Sequence, residues 1–109
     1  LPRALRAARD HLADNAGEPL DLAQLACVSG IGIRALQLGF RRHFGASISQ
    51  MLLDMRLAAL HARLAQGSAD ASVTDIAFDL GFTHLGRMAG AYREKFGETP
   101  SATLRRRMS

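Results

Sequence analysis

The sequence predicts an all-α fold of about seven helices, built from two similar units that one long helix joins. Three observations support this fold class. The 109 residues are 48% hydrophobic but only 6% aromatic, with many Ala, Leu and Arg, as is typical of helical domains. Apolar residues recur at helical spacings of three and four. Finally, a segment of the first half is repeated in the second half, within a length that suits one domain, residues 1–109.

The repeat aligns residues 22–49 with residues 73–101. At an offset of 51, the pairs are Leu25 with Ile76, Ala26 with Ala77, Gly30 with Gly81 and Ile31 with Phe82. At an offset of 52, they are Leu36 with Met88, Phe40 with Tyr92, Phe44 with Phe96, Gly45 with Gly97, Ser47 with Thr99 and Ser49 with Ser101. The extra residue falls between Phe82 and Met88, where a connection absorbs it. Each copy is predicted as helix, glycine-containing turn and helix, the helix-turn-helix pattern.

Helix start and stop signals agree with this interpretation. Asp21 and Ser72 precede the first helix of each copy and are expected to cap it, with Gln24 and Asp75 three residues on. Gly45 and Gly97 stand where a helix C-terminus favours glycine. Thr99 and Pro100 open a short last helix. The expected units are residues 3–47 and 72–107.

Two further helices complete the architecture. Residues 3–15 form an amphipathic helix with Leu5, Ala8 and Leu12 on one stripe. Residues 48–66 form a connector of roughly 28 Å that ends at Gly67, with apolar positions at Met51 or Leu52, Met55, Leu60 and Leu64. Since a turn of B-DNA is about 34 Å long, such a rod suits two recognition helices in successive major grooves. Phe40 and Phe96 are expected to be buried and to anchor the units to the connector.

The charge balance favours an anionic partner. Fourteen Lys and Arg against ten Asp and Glu give a net charge of +4, and thirteen of the fourteen cations are arginine. Residues 21–66 carry five arginines against two aspartates. A basic composition without functional meaning remains the alternative.

Several function classes are disfavoured. Cys27 is the single cysteine and is expected to be a small buried residue, so a disulfide framework is excluded and a reducing cytoplasm is the simplest setting. The four histidines have no partners in a zinc or catalytic pattern, so no metal, no cofactor and no enzymatic activity are expected. Neither a signal pattern nor a membrane-spanning run is present, so we expect a soluble protein without a membrane partner.

At this point the chain resembles the DNA-binding domain of the AraC/XylS family of bacterial transcription regulators. The motifs are LA-x3-G-I-x2-R-x-L-Q from Leu25, IA-x3-GF from Ile76 and Y-R-x-K-F-G-x-T-P-S from Tyr92, with Arg56-Leu57 on the connector. The resemblance implies cooperation of two units on one double-stranded DNA site, transcription activation with RNA polymerase as partner, and fusion to a sensing or dimerisation domain. The sequence departs from the family where Gly32 replaces Ser, Ile48 replaces Pro and Leu60 replaces Ala.

In the first unit, Leu36, Phe40 and Phe44 must face the core, which leaves Arg34, Gln37, Leu38 and Arg41 on the opposite face. The family pattern also puts Arg34, Gln37 and Leu38 at base-facing positions. Arginine pairs with guanine and glutamine with adenine, while leucine contacts a thymine methyl. Arg41 is a phosphate candidate, although arginine there also favours the helix dipole. An ordinary solvated face is the alternative for Arg34 and Gln37.

In the second unit, the repeat places Gly86, Ala89 and Gly90 where the first has Arg34, Gln37 and Leu38. The remaining base candidates are His84 and Arg87, and the remaining phosphate candidates are Thr83, Arg56 and Arg93, with the recognition helix counted from Thr83. His84 could equally be a surface residue without a role. We therefore predict that the first unit reads bases and the second mainly grips the backbone. The rival hypothesis is a protein-interaction module that keeps the fold without reading DNA.

Overall fold

The computed structural model describes residues 2–67 and 72–108, with side chains as far as residue 106. This part of the chain forms seven helices and no strands, as predicted. They are α1 (Arg3–Asp14), α2 (Leu22–Ser29), α3 (Ile33–Phe44), α4 (Ile48–Gln66), α5 (Val73–Asp79), α6 (Leu85–Phe96) and α7 (Pro100–Met108). The helix α4 covers the residues that the sequence predicted for the connector.

The chain divides into two compact units within α4: unit 1 is Leu1–Met55 and unit 2 is Arg56–Ser109. The connector is therefore shared, since its N-terminal half contributes Ile48 and Leu52 to the core of unit 1. Its C-terminal half carries the buried side chains Leu57, Leu60 and Leu64. Met51, the alternative to Leu52 in the sequence pattern, is only half-buried. Leu60, where the sequence departs from the family pattern, is thus a fully buried core position.

The core of unit 1 follows the predicted apolar stripes. Helix α1 packs on α2 and α3 through Leu5, Ala8 and Leu12, all buried as predicted. Phe40 is 0% exposed, and its ring meets Phe44 edge-on at 5.0 Å between centroids. One expectation was wrong: Cys27 is exposed. The reason is that α2 has eight residues and buries only Leu25, so Cys27, two residues further on, lies on the exposed face of the helix.

In unit 2, α7 packs against α5 and α6, and Tyr92 is the fully buried aromatic residue. The prediction for Phe96 was wrong, because Phe96 is only half-buried. Its equivalent in unit 1 is Phe44, which is also half-buried, whereas Tyr92 aligns with the enclosed Phe40. Phe96 still contacts the connector, since its ring stacks on His61 at 4.2 Å between centroids. The second recognition helix also begins later than predicted, at Leu85 rather than Thr83, because His84 is its N-cap.

The repeat is visible in the backbone. Gly30 and Gly81, which end the first helical segment of each copy, have φ angles of 80° and 91°. Gly45 and Gly97 cap α3 and α6 with φ angles of 70° and 78°. Only glycine adopts this region without strain, so the same turns are encoded twice. The predicted N-caps are also confirmed: Asp21 accepts from the Gln24 amide at 3.1 Å and Ser72 from the Asp75 amide at 3.3 Å.

None of the single helices in residues 2–67 and 72–108 is long and apolar enough to cross a membrane. Helices α2 and α3, which are bent by 80° relative to each other, reach that length and composition only as a pair.

Candidate nucleic-acid interface

The exposed face of α3 carries four of the predicted site residues. Its buried side is Leu36 and Phe40, so the side chains of Arg34, Gln37, Leu38 and Arg41 are left exposed. Leu38 is 56% exposed and brings an apolar side chain to this otherwise polar face. Gly32 is the N-cap of α3 and has no side chain, so no capping side chain occupies the amides of the first turn.

The same four side chains line one surface depression of about 470 Å³, together with Leu22, Ser47, Ile48 and Ser49. Sequence reasoning missed the two serines. Ser47 Oγ accepts a hydrogen bond from the Gln50 amide at 3.1 Å, which makes Ser47 the cap of α4 and leaves its hydroxyl proton able to donate. The signal was present in the sequence, since Ser47 followed three residues later by Gln50 is a capping box.

The last turn of α3 is basic, with Arg41, Arg42 and His43 all exposed. Cations at a helix C-terminus are favoured by its dipole, so this cluster has a structural reason as well as a functional one. Arg41 differs from the other two because it lines the same depression as Arg34 and Gln37. Arg42 and His43 instead line a separate groove between α1 and α3.

The corresponding face of α6 is smooth. Gly86 and Gly90 are exposed and Ala89 is half-buried, so no hydrogen-bonding side chain occupies the three positions that match Arg34, Gln37 and Leu38. Neither glycine is required by packing. A Cβ at Gly90 would find open space, and one at Gly86 would make ordinary contact with the His84 ring at 3.7 Å. Thr83, His84, Arg87 and Arg93 are polar groups that remain exposed near this face, and Glu94, four residues after Gly90, is exposed there as well.

His84 has a defined structural role that the sequence did not predict. Its Nδ1 accepts the Arg87 amide at 3.2 Å and so caps α6. With Nδ1 accepting, the proton of the neutral imidazole is on Nε2. That nitrogen can then donate a hydrogen bond to a phosphate oxygen or to an acceptor atom of a DNA base. The capping bond therefore fixes the ring at the start of the helix.

Beneath α6, a chain of polar side chains connects three helices. His61 Nδ1 lies 2.9 Å from the Tyr92 hydroxyl, which lies 2.8 Å from Thr103 Oγ1. Thr103 donates to the Glu98 carboxylate, which also accepts from Arg106. Because Thr103 gives its proton to Glu98, Tyr92 must donate to Thr103 and accept from His61, whose Nδ1 therefore carries a proton. These hydrogen-bonded side chains hold α6 to α4 and α7 in one orientation.

Burial raises the pKa of the Tyr92 hydroxyl above its ordinary value. The negative charge of Glu98 acts in the same direction, whereas the hydrogen bond to Thr103 and the charge of Arg106 act against it. The phenol is neutral near pH 7 even at its ordinary pKa, and the upward shift extends its neutral form to higher pH.

Arg56, the predicted phosphate contact on α4, is half-buried. Desolvation lowers the pKa of its guanidinium from the usual value without neutralising it at physiological pH. Its role at DNA stays a prediction. Arg93, which the sequence also predicted as a phosphate contact, is exposed in the last turn of α6.

The histidines lie in different parts of the fold. Within the described residues, no cluster of three or more His, Cys, Asp or Glu side chains could hold a metal ion. His61 belongs to the Tyr92 chain and His84 caps α6. His11 accepts from Asn15 through its backbone carbonyl at 2.9 Å.

Comparison with known proteins agrees with this geometry. The model of a helix-turn-helix domain family matches residues 25–106. The chain is 39% identical over 106 residues to a probable thc operon regulatory protein of Rhodococcus erythropolis, covering 96% of the chain and 32% of that protein. It is 40% identical over 95 residues to XylDLEGF operon transcriptional activator 3 of Pseudomonas putida, covering 86% and 29%. The chain thus spans about a third of the length of these curated relatives.

Solved structures show the same fold. A probable AraC family transcriptional regulator from Rhodopseudomonas palustris superposes with a TM-score of 0.91 at 33% identity, covering 97% of this chain and 98% of that one. The DNA-binding domain of AdpA, solved in complex with a target DNA, superposes with a TM-score of 0.77 at 25% identity, covering 93% and 89%. The chain belongs to the AraC family of DNA-binding helix-turn-helix domains found in transcription regulators.

Proposed function

We propose that the chain binds specific double-stranded DNA sites with α3 and α6 in adjacent major grooves, as the DNA-binding part of a bacterial transcription activator. Unit 1 reads the bases and unit 2 mainly grips the backbone. The observation that carries the proposal is the contrast between two equivalent helix faces: α3 exposes Arg34, Gln37, Leu38 and Arg41, whereas α6 exposes two glycines.

The reading role of unit 1 is supported by the chemistry of its face. Arg34 and Gln37 provide the donors and acceptors that pair bidentately with guanine and adenine, and Leu38 offers apolar contact to a thymine methyl. Arg41 and the serines at the start of α4 border the same depression, where a phosphate would meet hydroxyl and amide donors at a helix N-terminus. These groups position the helix, while Arg34 and Gln37 provide the discrimination.

The gripping role of unit 2 is supported by the polar groups on its exposed face. Thr83, His84 and Arg87 lie around the N-terminus of α6, where backbone amides attract phosphate, and Arg93 adds a cation in the last turn of the same helix. The glycines allow the helix backbone to approach its partner closely, since no side chain intervenes. Arg56 completes the proposed set of phosphate contacts.

Partners beyond DNA follow from the relatives. The Pseudomonas putida relatives are named as transcriptional activators, so we propose activation through contact with RNA polymerase in the cytoplasm. We also propose a sensing or dimerisation domain in the complete protein, because the curated relatives are about three times as long as the chain. Catalysis is not part of the proposed function.

The test is selection of binding sites from random duplexes, followed by titration of the selected duplex at increasing salt. DNA binding should weaken steeply with salt, because each neutralised phosphate releases counterions. Arg34→Ala should lower affinity for the selected site but not for random duplex. Val28→Ala, which removes an exposed apolar side chain from α2, is the matched control and should change neither. Failure to enrich any sequence would support the protein-interaction module instead.

A further inference from the structure

The core of unit 2 contains a polar network that reaches the surface on α7 and consists of His61, Tyr92, Thr103, Glu98 and Arg106. Both carboxylate oxygens of Glu98 are occupied, since one accepts from the Thr103 hydroxyl and the other from the Arg106 guanidinium. Thr103 is 2% exposed, whereas the Arg106 side chain is 66% exposed. Glu98 therefore links an exposed arginine of α7 to the buried hydroxyls of the core.

The aligned positions of unit 1 are apolar. Phe40, which the repeat aligns with Tyr92, is equally enclosed but has no hydroxyl. Thr103 aligns at the same offset of 52 with Met51. A helix-turn-helix unit can thus form with apolar side chains at these positions. What hydrogen bonds add to apolar packing is direction, because a satisfied buried network fits only one arrangement of the helices that it joins.

The exposed face of α6 gives a reason for holding this helix in one orientation. Gly86 and Gly90 bring no long side chain to DNA, so phosphate contact depends on the backbone amides at the N-terminus and on Arg87 and Arg93. Backbone amides cannot adjust to a displaced helix as long side chains can. Glu94, exposed near the same face, would repel phosphate if α6 turned towards it. A change in orientation would therefore remove several contacts together.

We propose that Thr103 and Arg106 of α7 fix the orientation of α6 for DNA binding, and that they do so without touching DNA. They act through Glu98 and Tyr92 and are therefore positioning residues. Tyr92 transmits the restraint, because it belongs to α6 and its hydroxyl also accepts from His61 of α4. This role rests on the proposed function, which assigns the grip on the DNA backbone to unit 2.

The salt dependence of duplex binding separates positioning from direct contact. One phosphate contact contributes about 0.9 to the slope of log affinity against log salt, so a single lost cation changes the slope by about one at most. Thr103→Val removes the buried hydroxyl and no charge, yet it should reduce the slope on the selected duplex by about two, as expected for two lost contacts. Arg106→Met should have the same effect.

Three matched variants serve as controls. Thr103→Ser keeps the hydroxyl and Arg106→Lys keeps a charged donor for Glu98, so both should keep the slope. Arg105→Met removes the same charge from an exposed neighbour, so it should reduce the slope by about one or less. Discrimination at the base pairs facing α3 should persist in every variant, which would show that unit 1 remains folded.

Two results would overturn the proposal. An unchanged slope in Thr103→Val would show that the polar network does not govern the grip of α6. Equal reductions of about one or less in Arg106→Met and Arg105→Met would mean that these arginines only attract DNA by their charge. If Thr103→Val does not fold, Arg106→Met, which changes an exposed side chain, decides between the same outcomes.

If the unaltered protein selects no duplex, the proposed function fails, but the coupling of α7 to α6 is still measurable without DNA. Tyr92 is the single tyrosine, so its alkaline titration reports on the polar network. The charge of Arg106 lowers the pKa of Tyr92, so Arg106→Met should raise that pKa, whereas Arg105→Met should not. Amide hydrogen exchange in α6 should be faster in Thr103→Val than in Thr103→Ser. Equal exchange in these two variants would contradict the positioning of α6 by α7.

Discussion

The two helix-turn-helix units share their turns and caps but differ in the faces that they expose. Gly30 and Gly81, and likewise Gly45 and Gly97, adopt the same left-handed backbone in both copies. The faces of α3 and α6 have diverged, since one is polar and the other is glycine-rich. The first helix of each helix-turn-helix shows the reverse difference. Helix α5 of unit 2 bears charged side chains and an aromatic ring, whereas α2 of unit 1 has neither.

The difference shows which positions the fold requires. Turn glycines and buried apolar residues are needed for each unit to form, so they remain the same in type. Exposed positions cost little when they change, so they are free to acquire separate functions. The proposed division of roles follows this difference, with base reading assigned to unit 1 and backbone grip to unit 2.

The largest expected effect tests whether the two cores are equivalent. Phe40→Ala and Tyr92→Ala should each lower the free energy of unfolding by about 3 to 5 kcal/mol, because each removes a fully buried ring. Phe96→Ala should cost less, since Phe96 is half-buried. Denaturant unfolding measures all three. An equal loss in Phe96→Ala and Tyr92→Ala would mean that the aromatic anchor of unit 2 was assigned to the wrong position.

The next effect separates the two units at DNA. Arg34→Ala or Gln37→Ala should cost about 1 to 3 kcal/mol on the selected site and relax base choice there. Arg93→Ala should lower affinity similarly on all duplexes and reduce the salt slope by about one. Anisotropy titrations at several salt concentrations distinguish these patterns. Base-specific losses in Arg93→Ala would contradict a gripping role.

Tyr92→Phe tests the hydrogen-bonded side chains in the core of unit 2. Removing the hydroxyl takes the Tyr92 hydrogen bond from His61 and from Thr103, which keeps its bond to Glu98, and this loss should cost about 1 to 3 kcal/mol near neutral pH. Because the folded-state pKa of Tyr92 is raised above 10.0, the stability linked to its neutral form is present below pH 10 and is lost as pH rises through the raised value. Unfolding at pH 8 and at pH 11 measures this. Tyr92 is the single tyrosine, so an unchanged alkaline loss in Tyr92→Phe would exclude the phenol as its source.

The smallest expected effect concerns a glycine inside α6 and one inside α3, the second helices of the two helix-turn-helix units. Gly90→Ala should stabilise the protein by about 0.5 to 1 kcal/mol, because its Cβ meets open space and glycine is unfavourable inside a helix. Gly39→Ala in α3 is the contrasting variant and should destabilise, because its Cβ would lie 2.7 Å from a terminal carbon of Leu5, a buried side chain that would have to shift within the core. Thermal unfolding of both variants is the measurement. A destabilised Gly90→Ala would show that α6 is already covered by another part of the protein.

Much of the fold could be predicted because helical spacing, caps and turn glycines are local signals. The connector bounds and both N-caps of α2 and α5 follow from residues a few positions apart. Phe96 was misassigned because spacing does not distinguish the enclosed position of a helix stripe from its rim. The roles of His61 and Thr103 could not be foreseen, because their contacts with Tyr92 join residues 31 and 11 positions apart. Cys27 was misjudged because cysteine is usually buried.

The candidate site was predictable only in part for the same reason. The exposed face of α3 follows from the helical period once Leu36 and Phe40 are placed inside. The grouping of that face with Ser47 and Ser49 depends on how α4 leaves the turn after α3, which is a tertiary feature. The cap formed by His84 depends on the point at which α6 begins, and helix boundaries are poorly determined by sequence.

The central claim is that the two units contribute unequally to sequence recognition, and a base-by-base substitution profile of the selected site tests it most directly. Each base pair is replaced in turn, and the change in binding free energy is measured. The account predicts losses of about 1 to 3 kcal/mol at one or two base pairs facing Arg34 and Gln37, with a tolerant half facing α6. Equal sensitivity in both halves would contradict it, and would point to His84 and Arg87 as base readers or to recognition of DNA shape by unit 2.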